Sequence, residues 1–184
     1  MLLNVVLLND THDWYHWGCT ATSLALRRRL VQRYQKLVIV PIVAVLGLKE
    51  APTTTSQFDD KAYFNKVSAA NTEVFGALAN ADLIVINGEG SIHRVSRISF
   101  SLLYIAHACK TLLGKRVAII NHSPYPNPAY VPDDSAVQGL YKLIYTALDF
   151  VAIREQTSFD LMTRLGVAAT LSFDCLPITV RESF

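Results

Sequence analysis

The feature that most limits the folds open to this chain is a regular alternation. Short, largely apolar runs trade places with longer stretches of helical spacing. Leu2 to Leu8, Leu37 to Val45, Leu83 to Ile86, Val117 to Ile120 and Phe150 to Ile153 are rich in Val, Ile and Leu at successive positions. A strand with one wet face alternates apolar and polar residues, whereas a strand covered on both faces has no such need. Leu171 to Phe173 is a candidate sixth strand. Between the runs, Gly18 to Arg33 places Ala21, Leu24, Ala25 and Val31 on one helical face. Asp59 to Asn80 repeats Phe64, Val67, Val74 and Leu78, and Ile98 to Leu113 carries Ile98, Leu102, Ile105, Cys109 and Leu112 before a stop at Gly114. Asp134 to Leu148 and Thr157 to Leu165, halted by Gly166, complete the helices. Such alternation calls for right-handed crossovers and a mostly parallel sheet. The expected architecture is a doubly wound, Rossmann-like α/β domain spanning residues 1–184, with helices on both faces of the sheet.

Composition narrows the function classes. Hydrophobic residues make up 51% of the 184 positions and charged residues 17%, which suits a doubly covered sheet or a face reserved for a partner domain. A net charge of +2 is too small for a general nucleic-acid binder. Cys19, Cys109 and Cys175 are scattered and form no CxxC pair, so reduced thiols are expected in place of disulfides or a zinc site. The apolar N-terminus has no basic region before it and runs into Asn9-Asp10, unlike a signal peptide. The longest apolar run, Leu37 to Leu48, contains Pro41 and falls short of the roughly 20 residues a bilayer needs. The expectation is a cytoplasmic protein, free or peripheral to the inner face of the membrane. Two loops interrupt the rhythm: Ala51 to Asp60, and Ser123 to Asp134 with four prolines, which is long enough for a lid or rim.

Ligands of open parallel sheets bind beyond the carboxyl ends of the strands. The residues falling there are Asn9, Asp10 and His12; Asn87, Gly88, Glu89, Gly90, Ser91, His93 and Arg94; Asn121, His122 and Ser123; Arg154 and Glu155; and Asp174. Turn formers alone would meet the needs of a purely structural sheet. The run Asn87 to Arg94 stands out, because two glycines directly after a strand let successive N–H groups converge on an anion. A tight turn explains the same glycines equally well. The run lacks the third glycine of a dinucleotide fingerprint and is not a Walker A loop, and no HExxH or nucleophile elbow occurs. No metal or cofactor is called for. Arg27, Arg28, Arg29 and Arg33 complement the dipole at the end of the first helix and read as a solvated face. Trp14, Tyr15, His16 and Trp17 suit either stacking on a sugar or covering the sheet edge. His107 reads as a packed or surface histidine.

Taken together, these blocks resemble the N-terminal half of the polysaccharide pyruvyl transferase family. Trp17-Gly18-Cys19-Thr20-Ala21-Thr22-Ser23 is similar to the glycine-containing loop that opens that family's first helix. Leu83 to His93 resembles its strand and glycine-rich loop, and Ile119-Ile120-Asn121-His122-Ser123-Pro124 its strand and Ser-containing turn. Val151 to Ser158 resembles its Arg-acidic-x-x-Ser block, and Leu165-Gly166-Val167 with Ser172-Phe173-Asp174-Cys175 the end of the half. The likeness covers nearly the whole chain and rests on the order of the blocks. Three positions depart from the family pattern: Cys19 stands where an acidic residue often follows the glycine, Glu89 replaces the central glycine of a triple-glycine loop, and Cys175-Leu176 replaces Pro-Ala.

The resemblance implies a GT-B-like pair of Rossmann domains around a cleft, and transfer of a pyruvyl group from phosphoenolpyruvate to a sugar hydroxyl during cell-surface polysaccharide assembly. Asp10, Gly88, Gly90, Ser91, Arg94, Ser123, Arg154 and Asp174 would line this half of the cleft. Arg94 and Arg154 would neutralise a carboxylate or phosphate, and Glu89 or His93 could act as general base. The partners implied are an anionic donor, a saccharide acceptor, free or lipid-linked, and a second domain or a second copy of the chain. The chain alone is then expected to be inactive. A nucleotide-sugar glycosyltransferase of the same architecture and a non-catalytic saccharide-binding or scaffold domain stay open as alternatives.

Overall fold

The computed structural model describes residues 3–14, 16–92, 96–124 and 135–183. These form a six-stranded parallel sheet: β1 (Asn4–Asp10), β2 (Lys36–Pro41), β3 (Leu83–Asn87), β4 (Arg116–His122), β5 (Phe150–Ile153) and β6 (Thr170–Leu171). The strand order is β2-β1-β3-β4-β5-β6. The chain thus moves outward from β1 to β2, returns past β1, and then proceeds β3 to β6 in the other direction. This is a doubly wound, Rossmann-like sheet whose direction reverses between β1 and β3.

The helices are α1 (Trp17–Arg33), α2 (Ile42–Leu46), α3 (Lys61–Ala70), α4 (Thr72–Ala79), α5 (Arg97–Thr111), α6 (Ser135–Tyr145), α7 (Gln156–Arg164) and α8 (Leu176–Ser183). They cover the two sheet faces unequally. Val6, Leu8, Ile84, Ile86, Val117, Ile119, Val151 and Ile153 pack into one continuous core with residues of α2 to α7. Val5, Leu7 and Val85 point the other way and meet Leu26 of α1, with Cys175 just ahead of α8 at the margin. The central strands β1, β3, β4 and β5 therefore bury side chains in both directions, which is why they read as apolar runs, whereas both residues of β6 are exposed.

Local signals set most boundaries. Asp60 caps α3 by accepting from the N–H groups of Ala62 and Tyr63 at 2.8 and 3.1 Å. Ser96 and Ser99 cap α5 reciprocally. Gly114, at φ +63°, ends α5 with the Lys115 N–H on the Cys109 carbonyl at 2.8 Å.

Four expectations change. The second strand stops at Pro41, which has no N–H for a further ladder bond, and Ile42 to Leu46 turns into a short helix. The helix expected over Asp59 to Asn80 is two helices broken at Asn71. There the side-chain amide accepts from the Lys49 N–H and donates to the carbonyls of Lys49 and Val67, tying the break to the preceding loop. The sixth strand is Thr170–Leu171, and Phe173 is exposed beyond it. Arg27 does not belong to a solvated face. It turns inward to chelate the buried Asp10 carboxylate, Nε to Oδ1 at 3.0 Å and Nη2 to Oδ2 at 2.5 Å. Arg28 and Arg29 pair with Glu182 of α8 at the surface. No helix among the described residues is long and apolar enough to cross a membrane.

Candidate functional site

The carboxyl edge is organised by three asparagines, one at the end of each of β1, β3 and β4. Asn9 and Asn121 have φ of +62° and +54°, a conformation Asn tolerates better than most residues. Both stand where the pairing register slips, at Leu8/Asp10 and at Ile119/His122. Their backbones thereby turn the strand ends and free the amides to reach sideways. Asn9 Nδ2 donates to the Asn87 carbonyl at 2.7 Å and to Ser91 Oγ at 3.0 Å. Asn121 Nδ2 donates to Asn87 Oδ1 at 3.0 Å. This buried lattice fixes the floor on which the loop after β3 rests.

Above that floor, at the reversal between β1 and β3, lies a cavity of about 490 Å³, within the range of small-molecule sites. Trp14, Ile42, Leu46 and Ile98 supply apolar wall, and Thr11, His16, Cys19, Glu89, Ser91 and Arg154 supply polar groups. A larger depression of about 610 Å³ beside Leu3, Asp82 and Arg116 sits at the amino ends of the strands. It lacks this convergence of groups and lies on the edge where open sheets do not bind ligands.

The bonds already made by the lining side chains decide what the cavity offers a ligand. Ser91 Oγ accepts from Asn9, so its own proton remains available, with no acceptor among the described residues. His16 accepts from the Gly18 N–H through Nδ1, which puts the proton of the neutral ring on Nε2. Arg154 donates from Nε to Ser123 Oγ at 3.1 Å and from Nη1 to Asp174 Oδ2 at 2.8 Å, leaving Nη2 without a partner among the described residues. Glu89 accepts from the Thr11 hydroxyl at 2.9 Å. Burial, together with the neighbouring Glu89 charge, pushes the Cys19 thiol up to about 11.

The residues expected at the cleft take up different places. Glu89, Gly90, Ser91 and Arg154 line the cavity. Ser123 and Asp174 hold Arg154 from behind, and Asp174 also receives the Leu176 N–H at the start of α8. Asp10 is buried, committed to Arg27 and not part of the lining. His93, Arg94 and Tyr15 lie outside the described residues. His122 is fully buried beneath Gly88 with Nε2 3.0 Å from the Tyr145 hydroxyl, and burial lowers its pKa to about 3, so it does not face the cleft. His107 packs inside, its Nε2 2.7 Å from Asp59.

Within the glycine run the Gly88 and Ser91 N–H groups are taken by backbone carbonyls. Gly88 donates its N–H to the Ile120 carbonyl at 2.9 Å, and the Ser91 N–H closes a turn on the Gly88 carbonyl at 3.0 Å. Both glycines have negative φ. Gly88 is required because a Cβ there would come within 2.1 Å of His122 Cβ. Thr11 and Cys19 were not singled out as site residues from the sequence, although Cys19 marks a departure from the family pattern.

The family model for polysaccharide pyruvyl transferase matches residues 6–177, from inside β1 to the first turn of α8. The chain belongs to the polysaccharide pyruvyl transferase family. No curated protein matches it. For a pyruvyl transferase of this kind, membership implies a saccharide acceptor and an anionic donor. Among the described residues no cluster of three His, Cys, Asp or Glu side chains could hold a metal ion.

Proposed function

We propose that this chain forms one half of a two-domain, GT-B-like pyruvyl transferase, and that its cavity receives the saccharide that accepts a pyruvyl group from phosphoenolpyruvate. The observation that carries the reading is the Glu89 carboxylate in a lining otherwise apolar or hydrogen-bond-donating. An anionic donor is repelled by Glu89, and Arg154 already shares its charge with Asp174. A sugar suits the same lining. Its C–H faces pack on Trp14, Ile42 and Leu46, and its hydroxyls meet Glu89, Ser91 and Arg154. The donor then belongs to the facing half of the cleft, with Arg154 Nη2 as a cation among the described residues that can meet it from this side.

In this scheme an acceptor hydroxyl gives its proton to Glu89 while its oxygen bonds to C2 of phosphoenolpyruvate. C3 gains a proton and becomes a methyl group. The C2–O bond to phosphate breaks, phosphate leaves with the electron pair, and a second hydroxyl closes the ketal. Of the two hydroxyl protons, one ends on the methyl group and one on phosphate.

The test supplies phosphoenolpyruvate and a saccharide acceptor to the chain alone and to a chain that continues into a second domain. The longer protein is expected to release phosphate and yield a pyruvyl ketal, with Glu89→Gln slowing kcat by about 10²- to 10⁴-fold. The 184-residue chain is expected to bind saccharide without turnover. A new glycosidic bond with nucleotide release would make it a glycosyltransferase instead, and saccharide binding without turnover by both proteins would make it a binding domain. Robust turnover by the short chain would end the half-enzyme reading.

A further inference from the structure

Thr11 is a residue of the β1 end whose hydroxyl meets three oxygens: Ser23 Oγ at 2.9 Å, Glu89 Oε2 at 2.9 Å and the Cys19 carbonyl at 3.1 Å. Its own N–H donates to Ser23 Oγ at 2.9 Å. Thr11 and Ser23 are 2% and 0% exposed, so neither hydroxyl borrows a partner from bulk water. Each has one proton to give. The carbonyl and the carboxylate around Thr11 can only accept, so Thr11 gives its proton to one of them. Ser23 Oγ already accepts from the Thr11 N–H, and its own proton is left to go to Thr11 Oγ1. Between the two remaining acceptors the ionised Glu89 is the stronger. The order of donation is therefore Ser23 to Thr11 to Glu89.

We infer that Thr11 is a positioning residue for the Glu89 carboxylate: its hydroxyl, oriented by Ser23, pins one carboxylate oxygen and leaves the remaining lone pairs to a hydroxyl in the cavity. The inference takes its functional meaning from the reading of Glu89 as general base and deepens it. The second acceptor gives the arrangement a use in both states of a proton transfer. While Glu89 is ionised, Thr11 donates to it. Once Glu89 holds a proton, the Thr11 hydroxyl can rotate to the Cys19 carbonyl without losing a hydrogen bond or moving any heavy atom.

Cys19 supplies a readout that needs no substrate. Its thiol lies beside Glu89 and is half-buried, so its alkylation rate reports whether the carboxylate is in place. The experiment measures iodoacetamide modification at pH 8 by peptide mass mapping in the full chain. Glu89→Gln should speed modification of Cys19 about three- to tenfold. Thr11→Val, which keeps the shape and removes the hydroxyl, should approach that rate, and Thr11→Ser should stay at the wild-type rate. Buried Cys109 is the internal control, since its modification would report unfolding. If Thr11→Val unfolds by that criterion, Ser23→Ala decides, and it too should speed Cys19. A wild-type rate in a folded Thr11→Val or Ser23→Ala protein, a fast rate in Thr11→Ser, or no effect of Glu89→Gln overturns the inference. Because no turnover is involved, the expected alkylation pattern together with absent phosphate release would sink the pyruvyl-transfer reading and leave the positioning of Glu89 standing.

Discussion

Gly88 and Gly90 are two positions apart and look equivalent in the sequence, yet the fold asks different things of them. Gly88 lies against the buried His122 ring, where an added Cβ would fall 2.1 Å from His122 Cβ and 2.5 Å from Cγ. Neither partner can retreat, because His122 sits in the fully packed core and Gly88 is tied to Ile120 by its N–H. At Gly90 an added Cβ meets nothing within 4 Å, and its φ of −56° suits any L-residue. Gly88→Ala is therefore expected to cost about 3 kcal/mol or more, the upper end of what overpacking does. Gly90→Ala should change stability by less than about 0.5 kcal/mol. Urea unfolding of the two variants checks the contrast. Gly90 lines the cavity, so a saccharide that binds the wild type should bind Gly90→Ala more weakly if it rests on that backbone.

At the scale of elements, the docking of α1 on the sheet depends on one charged contact as well as on apolar packing. Asp10 at the end of β1 is 2% exposed, and Arg27, about two-thirds of the way along α1, meets both of its oxygens. Removing the cation strands a buried carboxylate, so Arg27→Ala should lose about 3–5 kcal/mol. Arg28→Ala, which loses only a surface contact of 3.5 Å to Glu182, should lose less than about 1 kcal/mol. Replacing both partners, Asp10→Asn with Arg27→Met, should recover much of the loss, and chemical denaturation of the three variants checks the order. This contact also shows what the sequence could and could not disclose. The strands were legible because burial on both faces leaves an unbroken apolar run, and the carboxyl edge was legible because topology alone places it. Arg27 was not, since an arginine triplet at a helix end looks the same whether one member turns inward or all face water. The Thr11–Glu89 contact joins residues 78 apart, and no local pattern marks such a pair. The break at Asn71 was hidden for the opposite reason: apolar spacing runs on through it, and only the bonds of its side chain to Lys49 and Val67 interrupt the helix.

For the molecule as a whole, one polar group buried on the thicker side of the sheet makes global stability depend on pH. His122 is fully buried there, edge-on to the Tyr145 ring, which in turn stacks on Tyr141. Burial lowers its pKa to about 3, and the Arg154 charge pushes the same way. In the unfolded chain the ring titrates near the ordinary value of about 6.5. Between those limits the unfolded chain binds a proton that the folded chain does not, so stability rises with pH across that window. The contribution is complete above about pH 6.5 and is lost progressively as pH falls toward 3, at up to about 1.4 kcal/mol per pH unit. Carboxylates elsewhere add their own acid dependence, so the informative quantity is a difference between proteins. His122→Gln keeps a polar side chain of similar reach and removes the titration. Wild type should be the more stable of the two near pH 7.5, and the gap should narrow steadily between pH 6 and 4.5 as measured by urea unfolding. Two stability curves that run parallel over that range would mean that the folded protein holds the proton on His122, and that the ring is not sealed in the core as its burial against Gly88 and Tyr145 requires.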